Sequence, residues 1–172
     1  MLSAALGLTL ALGACASGSE VAKTDGGVSG ETAEAVQADN SQVKTGSESI
    51  VYAEDGIAIG GADPVAYFTD DTFVAGSTEH TYEWDGATWQ FASAENRDLF
   101  AASPEEYAPQ YGGYCAWAVG QNALAAIDPN AWSIVDGKLY LNANKRIQNR
   151  WSEDIPGNIA LADENWPTLS VQ

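Results

Sequence analysis

Two Asp-Gly pairs constrain the fold of this chain more than any other feature of its sequence. Asp85-Gly86 and Asp136-Gly137 each separate two short segments rich in aromatic and aliphatic residues, and Asp-Gly between such segments is a strong signal for a tight β-hairpin turn. The flanking segments are residues 81–84 and 88–91 at the first pair and residues 132–135 and 138–141 at the second. Asp128-Pro129 is predicted to form a turn before the second hairpin. The chain is therefore expected to contain at least two antiparallel strand pairs.

Helices are predicted around these hairpins. Ser93 is placed to cap a helix that ends near Ala102, and Ser103-Pro104 starts a second short helix because proline is favoured at the first helical position. Residues 144–166 are expected to be helical, with an interruption near Pro156-Gly157. Hairpins mixed with helices, without a repeated βαβ unit, indicate the α+β class. We expect a small antiparallel sheet built from hairpins, with short helices and a C-terminal helical segment.

The first 15 residues are predicted to be a targeting segment. Residues 1–14 form an apolar run that is too short to span a bilayer, as in a secretory signal. Residues 12–15, Leu-Gly-Ala-Cys, resemble a bacterial lipobox, which implies lipidation at Cys15 and removal of the residues before it. No Lys or Arg precedes the apolar run, so the true start of the signal is expected to lie upstream or to be misassigned. An ordinary secretory signal without lipidation is the alternative. With Ala16 and not Asp after the cysteine, the expected location is the periplasmic side of the envelope, anchored at the outer membrane.

Composition divides the remaining chain into a tether and a domain. Residues 16–49 contain no aromatic side chain and are rich in Gly, Ser, Thr, Ala, Glu and Asp, so they are expected to be a disordered tether. Residues 50–172 are expected to form one domain. The 24 acidic residues against seven basic ones give a net charge of −17, which excludes nucleic acid and anionic lipid as favoured partners. The protein is expected to be monomeric.

Residues 107–117 concentrate the chemically distinctive side chains. They contain three tyrosines, one tryptophan, the Gly112-Gly113 pair and Cys115, which is the only cysteine besides Cys15. The glycine pair is predicted to let the backbone turn where a Cβ atom would clash. Rings on both sides would then close over the thiol.

Several positions between residues 60 and 118 resemble the YHS domain family. Asp63-Pro64-Val65 is similar to the opening of the family pattern, and later residues follow its spacing; these are Phe91, Ser93, Phe100, Pro104 and Tyr107. The resemblance implies the YHS fold. The later part of the chain resembles a secreted subgroup of the family.

Three departures from the family pattern bear on function. The YHS form of copper-transporting ATPases and related metal proteins has cysteines that can bind a soft metal. This chain has Ala66, Ala92 and Asn96 at the corresponding positions. The resemblance therefore implies the fold but not the cysteine cluster.

Cys115 and His80 are the remaining candidates for a metal site. A thiolate and an imidazole suit Cu(I) and Zn(II), and two ligands suffice for linear Cu(I), so a copper or zinc ion bound by Cys115, with His80 as second ligand, is the leading hypothesis. A buried, inert Cys115 in a metal-free module that docks an envelope protein is the alternative. A thiol enzyme or redox sensor, with His80 as base, is a third hypothesis, less favoured than a binding role.

An aromatic pocket is the other candidate site. Tyr67, Tyr111, Tyr114 and Trp117, together with Trp132, are expected either to line a pocket for a small apolar or cationic ligand or to fill a small core.

Overall fold

The computed structural model describes residues 50–171. The signal, lipobox and tether predicted for residues 1–49, including Cys15, lie outside the described residues. Within the described range the strands are β1 (Ala53–Glu54), β2 (Ile57–Ala58), β3 (Ser77–Trp84), β4 (Ala87–Phe91), β5 (Asp128–Val135) and β6 (Lys138–Asn142). The helices there are α1 (Ala66–Thr69), α2 (Ala94–Ala102), α3 (Pro104–Tyr107), α4 (Ala116–Gly120), α5 (Lys145–Ser152) and α6 (Ile155–Leu169), with short 3₁₀ turns at Ile59–Gly61 and Gln110–Gly113. This arrangement is α+β, as predicted.

Both predicted hairpins are confirmed. Asp85-Gly86 joins β3 to β4, and Asp136-Gly137 joins β5 to β6, each pair antiparallel. Both residues of each turn have positive φ, at 50° and 79° in the first and 51° and 74° in the second. A two-residue turn with positive φ at both positions matches the twist of the strands, which is why Asp-Gly is favoured there.

The strands form two sheets and not one. The larger sheet has the order β1-β2-β4-β3, and β2 pairs parallel with β4 through Ile57 and Thr88. The second sheet contains only β5 and β6. The turn predicted at Asp128-Pro129 is wrong, because β5 already begins at Asp128, which pairs with Asn142 before the register shifts. Proline is tolerated there because neither strand of a two-stranded sheet is central.

Helix ends follow the predicted capping chemistry. The Ser93 hydroxyl accepts a hydrogen bond from the Asn96 amide and caps α2, which ends at Ala102. Pro104 lies in the first turn of α3. The interruption in the C-terminal helical segment falls between α5 and α6, where the Asp154 side chain caps α6. No helix within residues 50–171 combines the length and the apolar character that a bilayer crossing requires.

Two groups of buried side chains hold these elements together. The first lies between the larger sheet, α1, α2 and β6, and in it the Phe100 ring packs 5.1 Å from Trp89 and 5.2 Å from Phe91. The second joins α4, α5 and α6 to β6, where Tyr140 packs 5.2 Å from the buried Trp151. The first feature of the candidate site, the Asp63 side chain, lies in the region between α1, β4 and α2.

Candidate functional site

A buried carboxylate joins three separate segments of the chain. Asp63 is fully buried, and its Oδ1 accepts hydrogen bonds from the backbone amides of Val65 at 2.9 Å and Ala66 at 3.3 Å. Its Oδ2 accepts from the Ala92 amide at 2.8 Å and from Asn96 Nδ2 at 2.7 Å. Because the donors come from the start of α1, the end of β4 and the first turn of α2, this carboxylate fixes the three segments together. These residues are called the Asp63 cluster below.

The Asp63 cluster contains Ala66, Ala92 and Asn96, the three positions that the resemblance to the YHS pattern assigns to cysteines in the metal-binding form. Ala66 is buried, Ala92 is exposed and Asn96 is half-buried, so an ion could reach these three residues from solvent. In this chain the side chains of the cluster at these positions are two alanine methyl groups and the Asn96 amide, next to the Asp63 carboxylate. Each oxygen of that carboxylate accepts two hydrogen bonds. Copper(I) and zinc favour thiolate and imidazole ligands, which none of these residues supplies. The residues present therefore do not fit a soft metal ion.

Cys115 is buried beside Asn142 at the end of β6. It precedes α4, its amide donates to the Ala125 carbonyl, and only 1 % of the residue is exposed. Its Sγ lies 3.8 Å from Asn142 Oδ1, an oxygen that also accepts a hydrogen bond from the Trp117 amide at 3.3 Å. The one polar side-chain contact of the thiol is thus a weak S–H···O hydrogen bond to a neutral amide.

His80, the predicted companion of Cys115, lies on the other sheet. It is half-buried in β3, an edge strand, where the register with β4 shifts between Ser77 and Thr81. Within the described part of the chain, no three His, Cys, Asp or Glu side chains are grouped so that they can hold a metal ion. Copper or zinc binding through Cys115 and His80 stays a prediction.

The predicted aromatic pocket residues occupy different surroundings. Tyr67 is fully buried, and its hydroxyl donates to the Pro129 carbonyl at 2.8 Å. Its ring packs 5.2 Å from Trp132. The half-buried Tyr114 packs 5.5 Å from Tyr52, and the half-buried Trp117 lies 5.4 Å from the Arg150 guanidinium.

Tyr111 lines an open pocket of about 190 Å³ at the larger sheet. The side chains that distinguish this pocket are four aromatic ones and two acidic ones; they belong to Trp84, Trp89, Tyr111, Trp166, Asp85 and Glu105. Two aromatic pairs form much of the lining, with Trp84 centred 5.7 Å from Trp89 and Tyr111 centred 5.9 Å from Trp166. This cavity is called the Trp84 pocket below.

Hydrogen bonds hold the aromatic lining in place. Trp89 Nε1 donates to the Trp84 carbonyl at 3.0 Å, and the Tyr111 hydroxyl donates to Asp163 Oδ1 at 2.9 Å. Burial, and secondarily the hydrogen bond to Asp163, raise the pKa of the Tyr111 hydroxyl far above its ordinary value. The Tyr111 side chain is therefore a neutral hydrogen-bond donor at physiological pH.

The sequence did not indicate five of the six distinguishing side chains of the Trp84 pocket as site residues. Trp84 and Trp89 were assigned only to a hairpin, Asp85 only to its turn, and Glu105 only to a helix start. Trp166 was expected only within the C-terminal helical segment. The usable signal was Trp84-Asp85, an indole directly followed by a carboxylate at the end of a strand. Asp63 was recognised as part of the opening motif, but its four hydrogen bonds depend on contacts distant in sequence.

Comparison with known proteins identifies a family similarity in the middle of the chain. No curated protein and no solved structure matches the chain. Residues 65–111 match the family model of the YHS domain. This segment begins two residues after Asp63, contains Ala66, Ala92 and Asn96, and ends at Tyr111 in the Trp84 pocket. Residues 65–111 of this chain are therefore similar to the YHS domain, as the sequence pattern indicated.

Proposed function

We propose that this chain is a metal-independent binding module of the bacterial cell envelope, not a copper or zinc carrier and not an enzyme. The observation that carries the proposal is the Asp63 cluster. Ala66, Ala92 and Asn96 replace the family's thiols, and the Asp63 carboxylate uses both oxygens to join the segments around them. A carboxylate with four protein donors has a structural task that a bound metal ion would disrupt.

The surroundings of Cys115 support the same proposal. A reactive or metal-binding cysteine needs access and a partner that stabilises the thiolate, such as a histidine or another cation. Cys115 is almost completely buried, and its polar neighbour is the Asn142 amide. Burial among apolar residues suits a cysteine that acts as a small core side chain.

Metal analysis of the purified chain tests the proposal. A Cys15→Ser background leaves Cys115 as the only thiol. This protein is expected to retain far less than one equivalent of copper or zinc after incubation with either ion and competition with a chelator, measured by mass spectrometry of the elements. Adding Cys115→Ser should leave the metal content unchanged. Near-stoichiometric copper that disappears in Cys115→Ser would overturn the proposal in favour of the soft-metal site.

A variant that restores the three thiols is the matched positive control. Ala66→Cys, Ala92→Cys and Asn96→Cys together are expected to give a protein that binds zinc with near one-to-one stoichiometry, because the Asp63 cluster already brings these positions together. If the triple variant folds and still binds no zinc, the assignment of the family's metal positions to this cluster is wrong.

The proposed location rests on the N-terminal sequence. Residues 1–15 are proposed to act as a lipoprotein signal and residues 16–49 as a tether, so that lipid on Cys15 anchors the domain at the outer membrane. Mass spectrometry of protein extracted from the membrane fraction is expected to show a diacylglycerol-modified Cys15. The Cys15→Ser chain should appear in the soluble fraction instead. Equal membrane association of both forms would contradict the anchor.

A further inference from the structure

We propose that the Trp84 pocket binds a small organic ammonium cation. The inference deepens the proposed binding function by assigning it a site and a ligand class. It is carried by three features of the pocket, namely its aromatic lining, its two uncompensated carboxylates and its size.

The aromatic lining suits a positive charge. The rings of Trp84 and Trp89 are inclined by 57°, and those of Tyr111 and Trp166 by 64°. Trp84 and Trp166 are half-buried, so part of each indole remains open to a ligand, whereas Trp89 and Tyr111 are almost completely buried and support these two indoles from behind. The negative face of an indole attracts a cation, so an ammonium ion can be held between the two partly exposed indoles.

The carboxylates of the pocket have no protein cation beside them. Asp85 and Glu105 belong to the lining, which includes no Lys, Arg or His. Across residues 50–171 the recorded salt bridge joins Arg97 to Asp98, so neither pocket carboxylate is paired there. The net charge of −17 would further attract a cation from solution. Charge thus favours an ammonium ion over a neutral or anionic ligand.

The size of the pocket points to a small molecule. Its volume of about 190 Å³ is below the range of about 300–1,000 Å³ that is usual for pockets holding drug-sized ligands. Gly112 preserves the size of the pocket because it lacks a Cβ atom. A Cβ atom there would meet Trp166 Cη2 at 3.3 Å and would collide with the Ile50 carbonyl.

A neighbouring surface depression provides a control for the position of the cation. It is lined by Trp84, Ser103, Pro104, Glu105 and Glu106, so it shares Trp84 and Glu105 with the Trp84 pocket. Asp85 lines only the Trp84 pocket, and Glu106 lines only the neighbouring depression. The two carboxylates therefore distinguish the two places.

Calorimetric titration with choline tests the inference. Choline is expected to bind the Cys15→Ser chain, and its neutral isostere, in which carbon replaces the quaternary nitrogen, is expected to bind about tenfold more weakly or not at all. Asp85→Asn should weaken choline binding about two- to fivefold, since it removes one charge at the edge of the pocket. Asparagine tolerates the positive φ of 50° at this turn, so the hairpin should persist. Glu106→Gln, which removes the same charge, should leave the affinity unchanged.

Trp166→Leu provides a second, independent test of the site. It should weaken choline binding about tenfold, because it removes one ring of the lining. Absence of choline binding, equal binding of the neutral isostere, or a loss in Glu106→Gln without one in Asp85→Asn would each overturn the inference. None of these results depends on metal content. If choline does not bind, the ligand assignment is wrong, but the proposal that the chain is metal-independent is still tested separately by the metal analysis.

Discussion

Replacing Asp63 with alanine is expected to lower the free energy of unfolding by about 3–5 kcal/mol. The change removes the acceptor for four hydrogen bonds and leaves the fully buried amides of Val65 and Ala66 without partners. A buried donor that loses its partner costs about 1–3 kcal/mol. The Ala92 amide and the Asn96 side chain are nearer the surface, so water can replace part of their loss. Urea unfolding followed by tryptophan fluorescence measures the change.

Two further variants separate the hydrogen bonds from the mere loss of a charge. Asp63→Asn keeps one acceptor oxygen but places an NH₂ group against donors, so we expect about half the loss seen with alanine. Asp70→Ala removes an exposed carboxylate just after α1 and should change stability by less than about 0.5 kcal/mol. If Asp63→Ala unfolds at the same urea concentration as Asp70→Ala, the cluster does not join the three segments.

The sequence predicted two hairpins and a helix start, all of which local chemistry decides. The hairpins at Asp85-Gly86 and Asp136-Gly137 follow from backbone angles that two adjacent residues prefer. The start of α2 follows from the ability of Ser93 to accept a hydrogen bond from a nearby amide. In each case the decisive interaction lies within a few residues.

Features that depend on distant segments were not predictable in this way. The parallel pairing of β2 with β4 brings Ile57 beside Thr88, and nothing in a two-residue strand specifies that neighbour. Asp128-Pro129 has the composition of a turn, but pairing of Asp128 with Asn142 draws it into β5. Tertiary contacts outweigh a local turn preference when the partner strand is already fixed.

The candidate sites show the same limit. The spacing of the family pattern identified Ala66, Ala92 and Asn96 as positions without thiols, but it did not show that they meet at Asp63. The Trp84 pocket combines the end of β3 and the middle of β4 with α3, a 3₁₀ turn and α6, so its residues are widely separated in the sequence. A single sequence indicates which residue types exist, whereas a pocket depends on which of them become neighbours.

Replacing Gly112 with alanine is also expected to lower the free energy of unfolding, by about 2–5 kcal/mol. Gly112 has a φ of 58°, and an alanine in this left-handed region costs about 1–2 kcal/mol. The new Cβ atom would in addition collide with the Ile50 carbonyl, and forcing an atom into an occupied place costs about 1–3 kcal/mol more. The segment cannot simply move aside, because the Tyr52 amide donates to the Gly112 carbonyl at 2.8 Å.

Gly137→Ala is the matched control, since it isolates the backbone term from the collision. Gly137 has a φ of 74°, and a Cβ atom there would meet nothing within 4 Å. This variant should therefore lose only about 1–2 kcal/mol. Thermal and urea unfolding of both variants measure the difference, and equal losses would contradict a steric requirement at Gly112. A larger loss at Gly112 would mean that glycine is needed there for close approach as well as for its backbone angles, because a chain segment and an indole ring both lie against its α-carbon.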